Sequence, residues 1–376
     1  MSDIEPTHDS AGVPESIVSD SSDGPVIKLS ASHRRSLVLN GIFILLAVYM
    51  LQFASAVLIP ITVAILLFLL LSRPVQSLGK LGIPPAACAI LGVAVVAGVL
   101  VGSVTSLAGP AQNWIENIPK SFYKVEQKLN QFKQPFEKTE EALRKVEKAT
   151  EIKPEPDVQK VEIERPSYLD DLFSGTPQLL ASIGSTLMLL LFLVSSGDTF
   201  VRKLVSFNST LTDKKNTVEI TRNIQDDISF YLLTVTLLNI TTGILTAMYC
   251  FWVGVDDPLL WGSLASLFGF VPFVGPVLMT AILGFVGMLE FDSLLLAMSI
   301  PLAYIAVVFV CNSVLLPLVL GRRLTLNPVA IFLAIMFWGW AWGIVGILLA
   351  VPILACAKII CERIEPLQPF AEFLTP

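Results

Sequence analysis

Seven stretches of this chain, 37–72, 81–109, 178–197, 228–255, 258–289, 293–321 and 324–357, contain no Asp, Glu, Lys, Arg or His. About 20 apolar residues in a helix suffice to cross about 30 Å of hydrocarbon. Runs of this length and number predict an all-α polytopic membrane protein. They are continuous where the strands of a membrane barrel would alternate, which excludes a small β-barrel. Composition agrees, with 54% hydrophobic and 15% charged residues over 376 positions. The charges are gathered: residues 110–177 alone hold 11 Lys/Arg and 13 Asp/Glu. The net charge of −6 owes most to Asp3, Glu5, Asp9, Glu15, Asp20 and Asp23. They lie in a polar segment, 1–35, that reads as a disordered cytosolic tail.

The same inventory excludes much chemistry. The only histidines, His8 and His33, precede the first apolar run, and the five cysteines (Cys88, Cys250, Cys311, Cys356, Cys361) lie scattered in or beside apolar segments without metal-ligand spacing. They read as small core hydrophobes. A phosphate-binding GxxxxGK[ST], an HExxH and a GxSxG are all missing, so the chain has no ATPase of its own and none of the commonest hydrolytic machinery. An enzyme is not expected, nor is a metal, a cofactor or a nucleic acid partner. A cleavable signal peptide is not expected either, because basic His33, Arg34 and Arg35 lead into a long anchor.

The run 37–72 is long for one span and short for two, with Gln52, Ser55 and Pro60 near its middle, so it reads as a hairpin or a broken helix followed by a turn holding Arg73 and Lys80. The segment 110–177 places Trp114, Ile118, Phe122, Val125, Leu129, Phe132 and Phe136 at helical spacing, which predicts one or two amphipathic helices in water and then a loose return segment. Basic residues in short loops face the cytosol. With Arg34/Arg35, Arg73/Lys80, the 202–222 group, Arg322/Arg323 and Lys358/Arg363 on that side, 110–177 lies outside the cytosol and both termini inside. Asp256 and Asp257 form the one short loop with acid and no base.

That bookkeeping requires 37–72 to be a hairpin, and it closes only if 258–289 and 324–357 are hairpins too, each entering and leaving on one side. Pro272, Gly275 and Pro276 supply a break in the first, and the segment 338–343, with Trp338, Trp340 and Trp342 and closing on Gly343, a turn in the second. Irregular backbone at membrane depth is tolerated only inside protein or beside water. Asp257-Pro258 and Asn327-Pro328 open the two hairpins alike, as an internal repeat would. Paired broken segments point to a transport site. The resulting architecture has about eight or more membrane-crossing or re-entrant helices: N-terminal membrane helices at 36–109, the insert at 110–177, a C-terminal core at 178–364 and a cytosolic tail at 365–376.

The 272–276 break is the leading substrate-pathway element, since helix ends leave backbone groups that bind polar solutes or ions, with a packing turn as the plainer alternative. Asn239 and Asn312 lie inside charge-free helices, where each either lines a hydrophilic path or hydrogen-bonds a neighbouring helix. Gly243 and Pro317 complete the pathway set. Asp226 and Asp227, at the start of the fifth run, read as a gate or as favourable charge at a helix N-terminus. Glu290 and Asp292 sit at a segment boundary and are the other candidates for gating or ion coupling. No carboxylate lies deep in any run, which argues against a proton relay.

The pattern Asn239, Gly243, Gly254, Pro258, Trp261, Gly262, Pro272, Gly275, Pro276, Asn312, Pro317, Gly321, Pro328, Gly343, Gly346 and Pro352 resembles the autoinducer-2 exporter family over roughly 36–110 and 178–365. The resemblance implies a multi-pass bacterial plasma-membrane transporter with a variable extracytoplasmic insert. Some members are associated with autoinducer-2 release and others with Na⁺/H⁺ exchange. Many carry an acidic residue where this chain has Cys311, which weighs against ion coupling here. The expected function is a permease for a small polar solute such as autoinducer-2. A cation/proton antiporter, with a coupling cation or proton, and a scaffold presenting 110–177 to an envelope partner are the alternatives. The expected partners are the lipid bilayer, the solute and further copies of the chain in a homo-oligomer.

Overall fold

The computed structural model describes residues 31–144, 176–206, 211–320 and 326–375. The expected tail before residue 31, the return segment beyond 144 and Arg322/Arg323 lie outside the described residues. Those described form helices and no strand: α1 (Ala31–Phe53), α2 (Ser55–Gly79), α3 (Pro85–Arg144), α4 (Thr176–Ser206), α5 (Leu211–Val253), α6 (Pro258–Phe268), α7 (Val274–Glu290), α8 (Leu294–Phe309), a π-helical turn (Val310–Leu315), α9 (Leu316–Leu320), α10 (Pro328–Arg363) and, after a 3₁₀ turn, α11 (Gln368–Phe373). Five segments, within α2, α3, α5, α8 to α9, and α10, are long and apolar enough to cross a membrane, and four more apolar helices are shorter. The chain divides into two compact units, 1–50 and 51–376. In the first, the described residues 31–50 are helical throughout.

The second unit holds the bundle. The break in the first apolar run falls at Ala54, between Gln52 and Ser55, and Pro60 is accommodated inside α2. Arg73 also belongs to α2, not to the turn after it; its guanidinium lies 4.7 Å over the Phe230 ring. Helix α3 is continuous across residue 110. At about 1.5 Å per residue its 60 residues reach about 90 Å, far beyond one bilayer. Trp114, near the start of the charged segment, packs edge-to-face on Trp261 with centroids 4.9 Å apart.

Two buried clusters stabilise this unit. One joins Cys250, Leu260, Trp261, Ala265, Met279, Leu283, Ile300 and Tyr304 from α5 to α8. The other joins Ile228, Tyr231 and Leu232 of α5 to Ala355 and Ile359 of α10, with Leu66, Leu69 and Leu70 of α2 against them.

The structure corrects the placement of Asp226 and Asp227. They are not at a helix N-terminus, because α5 begins at Leu211 and the polar residues 211–225 are helical too. Asp227 instead pairs with Arg363 of α10. Both side chains are more than a third exposed, so Asp227→Asn should lower stability by less than about 1 kcal/mol in thermal unfolding of the purified protein.

Candidate functional site: a glycine-seated helical hairpin

Helices α6 and α7 form a hairpin whose two ends meet: the Asp256 backbone N–H donates to Glu290 Oε2 over 3.0 Å. Pro258 at the first helical position preorganises the entry, and Asp257 before it has φ +53°. Small residues let α6 lie directly on α5. A Cβ on Gly243 would sit 2.6 Å from the Gly262 carbonyl oxygen, and one on Gly262 would sit 2.5 Å from that of Gly243. One turn back along α5, Asn239 fills the space beside Gly269, its Oδ1 2.5 Å from where a Cβ would stand. Asn239 is 7% exposed, and its Nδ2 is buried without a hydrogen-bond partner. Asn239, an expected pathway residue, is thus set against the end of α6, where the hairpin turns.

The tip itself is strained. Phe273 has φ +63°, ψ −57°, and the Val274 N–H donates to Pro272 O over 2.7 Å. This is a γ-turn of the rare positive-φ kind. The side chain is 64% exposed, so little packing compensates the backbone cost of about 1–3 kcal/mol. Phe273→Gly should raise stability by about 1 kcal/mol in the same unfolding measurement. Gly275 follows, with no room for a side chain: a Cβ would overlap the Phe268 carbonyl oxygen. Pro276 lies in the first turn of α7.

Helix α10 has the same construction. Asn327 caps it, accepting from the Val329 N–H at 3.0 Å, and Pro328 opens it. Gly343 then breaks it with φ +63°, ψ −141°. A Cβ on Gly346 would overlap the Trp338 carbonyl oxygen. Residues eight apart meet in this way only if the chain doubles back between them. The Trp342 indole N–H donates to Leu51 O over 3.0 Å, which fixes one of the three tryptophans at the turn.

Of the sequence-derived pathway residues, Asn239, Gly243, Pro272, Gly275 and Pro276 gather at the α6–α7 hairpin. Asn312 joins them across a cleft of about 450 Å³ that also touches Pro276. It sits in the π-helical turn, a local widening frequent at functional sites. Pro317 lies in α9 and does not line the cleft.

Among the gate candidates, Asp292 is exposed in the connection between α7 and α8. Glu290 ends α7, just beyond the apolar run. Burial, reinforced by the charges of Asp256 and Asp257, outweighs the Asp256 N–H bond and holds its carboxyl up at about 7. Its Oε1 is buried without a partner. Because this pKa is raised on folding, the contribution of Glu290 to stability is full below about 4.5. It is lost as pH rises to about 7. Glu290→Gln keeps an acceptor for Asp256 and should flatten that part of the pH–Tm profile, leaving the variant more stable than the parent at pH 8.

Two further buried polar residues were not among the site candidates read from sequence. Lys358, assigned to a cytosolic loop, is 1% exposed and pairs with Glu362 over 3.5 Å. Tyr304, in α8, is 2% exposed and its hydroxyl has no hydrogen-bond partner. Its spacing from Val308 and Asn312 would have placed it on the same helical face.

A helical bundle with two glycine-seated chain reversals has the broken helices that many membrane transporters use. Residues 41–365 match the AI-2E family transporter profile, and the chain belongs to that family. The AI-2 transport protein TqsA of Escherichia coli K12 is 24% identical over 90% of this chain and 97% of its own length. A Borreliella burgdorferi relative is 28% identical over 52% of this chain and 54% of its own length. The YhhT protein of Escherichia coli K12 is 32% identical over 40% and 42%. This chain is accordingly a membrane transporter.

Proposed function

We propose that the protein is a bacterial inner-membrane permease, without an ATPase of its own, that passes a small polar solute beside the tip of the α6–α7 hairpin. The observation that carries this reading is the buried, unpartnered Asn239 amide set against Gly269 where the hairpin turns. An unsatisfied donor inside an apolar bundle costs about 1–3 kcal/mol, and a passing solute with an acceptor oxygen relieves that cost. Both hairpins are re-entrant in this reading, which brings the count of membrane elements to eight or more. Residues 110–177 lie outside the cytosol, the termini lie inside, and copies of the chain assemble in the membrane. Autoinducer-2 is the solute we propose, since TqsA, similar over nearly its whole length, is named for its transport.

The test is efflux of autoinducer-2 from liposomes holding the purified full chain, with no nucleotide present. Efflux above that of protein-free liposomes, reduced by Asn239→Leu, is the expected result. Efflux that matches the protein-free control while the protein remains folded overturns the proposal. Loss of an envelope partner on deleting 110–177, with no solute flux in the parent, would favour a scaffold instead.

A further inference from the structure

Pro317 lies outside the α7–α8 cleft but acts on the backbone that lines it. In an α-helix the carbonyl of Asn312 would accept from the N–H of residue 316. Here the π-helical turn Val310–Leu315 shifts that donor, and the Leu316 N–H bonds Cys311 O instead. The next N–H that such a turn could offer belongs to residue 317, which is proline and has none. The Asn312 carbonyl has thus lost both of its helical donors. Within an apolar run such an acceptor is costly unless a group outside the helix donates to it.

Its position shows where that donor must come from. Asn312 and Ser313 are both exposed and both line the cleft of about 450 Å³, so the peptide that joins them stands on that wall. A carbonyl released from the helical ladder tilts outward from the axis. On the facing wall, the Thr280 hydroxyl donates to Pro276 O at 2.7 Å and keeps a lone pair for a second donor. Both walls therefore call for a hydrogen-bond donor. A cation would exchange its hydration shell for a few uncharged oxygens, a poor return. A neutral hydroxyl gives up one bond to water and regains one, and its oxygen offers an acceptor to the Asn312 amide.

We infer that the α7–α8 cleft binds a small neutral molecule through a hydroxyl that donates to the Asn312 carbonyl. Pro317 is the positioning residue that keeps this carbonyl free. The site deepens the proposed permease and rests on it in one respect: Pro276 puts the cleft beside the hairpin tip, so a passing solute would occupy it.

The site can be tested separately from transport by photolabelling the full chain in lipid nanodiscs with a diazirine-bearing octanol. Two control probes are its methyl ether, which cannot donate, and the matching diazirine octylammonium. Saturable labelling of α7 and of residues 305–313 by the alcohol is expected, with the ether weaker by about 2- to 10-fold, the value of one neutral hydrogen bond. Pro317→Ala returns an N–H to the helix and should weaken alcohol labelling by the same factor. It should also raise the unfolding temperature, since proline inside a helix is destabilising. Pro74→Ala makes the same repair within α2 and should leave labelling as in the parent. Should Pro317→Ala fail to fold, Thr280→Val and the alcohol–ether comparison in the parent carry the test. Equal saturable labelling by the ether or the ammonium overturns the inference, as does an alcohol affinity unchanged in Pro317→Ala or equally reduced in Pro74→Ala. Autoinducer-2 efflux together with absent alcohol labelling sinks the site and leaves the permease standing. Pro317-dependent labelling of a chain that passes no autoinducer-2 supports the site and sinks the permease.

Discussion

Alanine at Gly275, or at Gly346, is expected to abolish most of the folded protein. In each case the added Cβ overlaps a backbone carbonyl oxygen, that of Phe268 or of Trp338. A clash with a flexible side chain is relieved by rotation. A clash with a carbonyl at a chain reversal is relieved only by moving one arm of the hairpin off the other. The arms carry the rest of the packing with them: α7 brings Met279 and Leu283 to the central cluster, and the second arm of α10 brings Ala355 and Ile359 to the other. Overpacking of a well-filled core costs about 1–3 kcal/mol where side chains can adjust, and a backbone clash exceeds that. Two controls bound the effect. Gly284→Ala in α7 meets only Pro301 Cγ at 3.9 Å, and should be neutral or stabilising by up to about 1 kcal/mol because alanine is the better helix former. Gly98→Ala in α3 meets nothing within 4 Å and should behave alike. The yield of monodisperse protein in detergent and its thermal unfolding check all four variants, and normal yield of Gly275→Ala and Gly346→Ala would mean that the hairpins are not seated through these contacts.

These glycines also mark how far the sequence could be read. Proline and glycine inside a charge-free run announce a break, so both chain reversals, at 272–275 and at Gly343, were legible, down to the matching Asp-Pro and Asn-Pro openings. The residue that takes the strained turn was not visible, because nothing in the chemistry of Phe273 announces its φ of +63°. Charge patterning marked the apolar runs but not where helices begin. Residues 211–225 and 110–144 are polar yet helical, so α5 starts well before Asp226 and α3 runs straight into the charged segment. Lys358 misled for a related reason. A lysine after an apolar run reads as the end of the membrane segment, but a partner one turn later, Glu362, lets it stay buried in the bundle. Asn239 was legible as a polar group in the wrong solvent; that its neighbour would be the end of α6 depended on the Gly243–Gly262 contact, a long-range fact.

Replacing Asn239 by leucine should move stability and transport in opposite directions. Leucine keeps the branched skeleton of asparagine with bulkier ends, so the space beside Gly269 stays filled, while the unpartnered Nδ2 is removed. Eliminating an unsatisfied buried polar group is worth about 1–3 kcal/mol, less whatever repacking against Gly269 costs. The unfolding temperature of Asn239→Leu is therefore expected to rise. Efflux is expected to fall at least about tenfold, equivalent to about 1.4 kcal/mol lost from the rate-limiting barrier, because the donor that compensates a solute's lost hydration is gone. If Asn239 merely joined helices, its loss would lower stability and leave the efflux per folded molecule intact. If it did neither, both measurements would match the parent. A group kept at a cost to the fold and needed for flux gives a third pattern, higher stability with lower efflux, and that combination identifies Asn239 as part of the solute path.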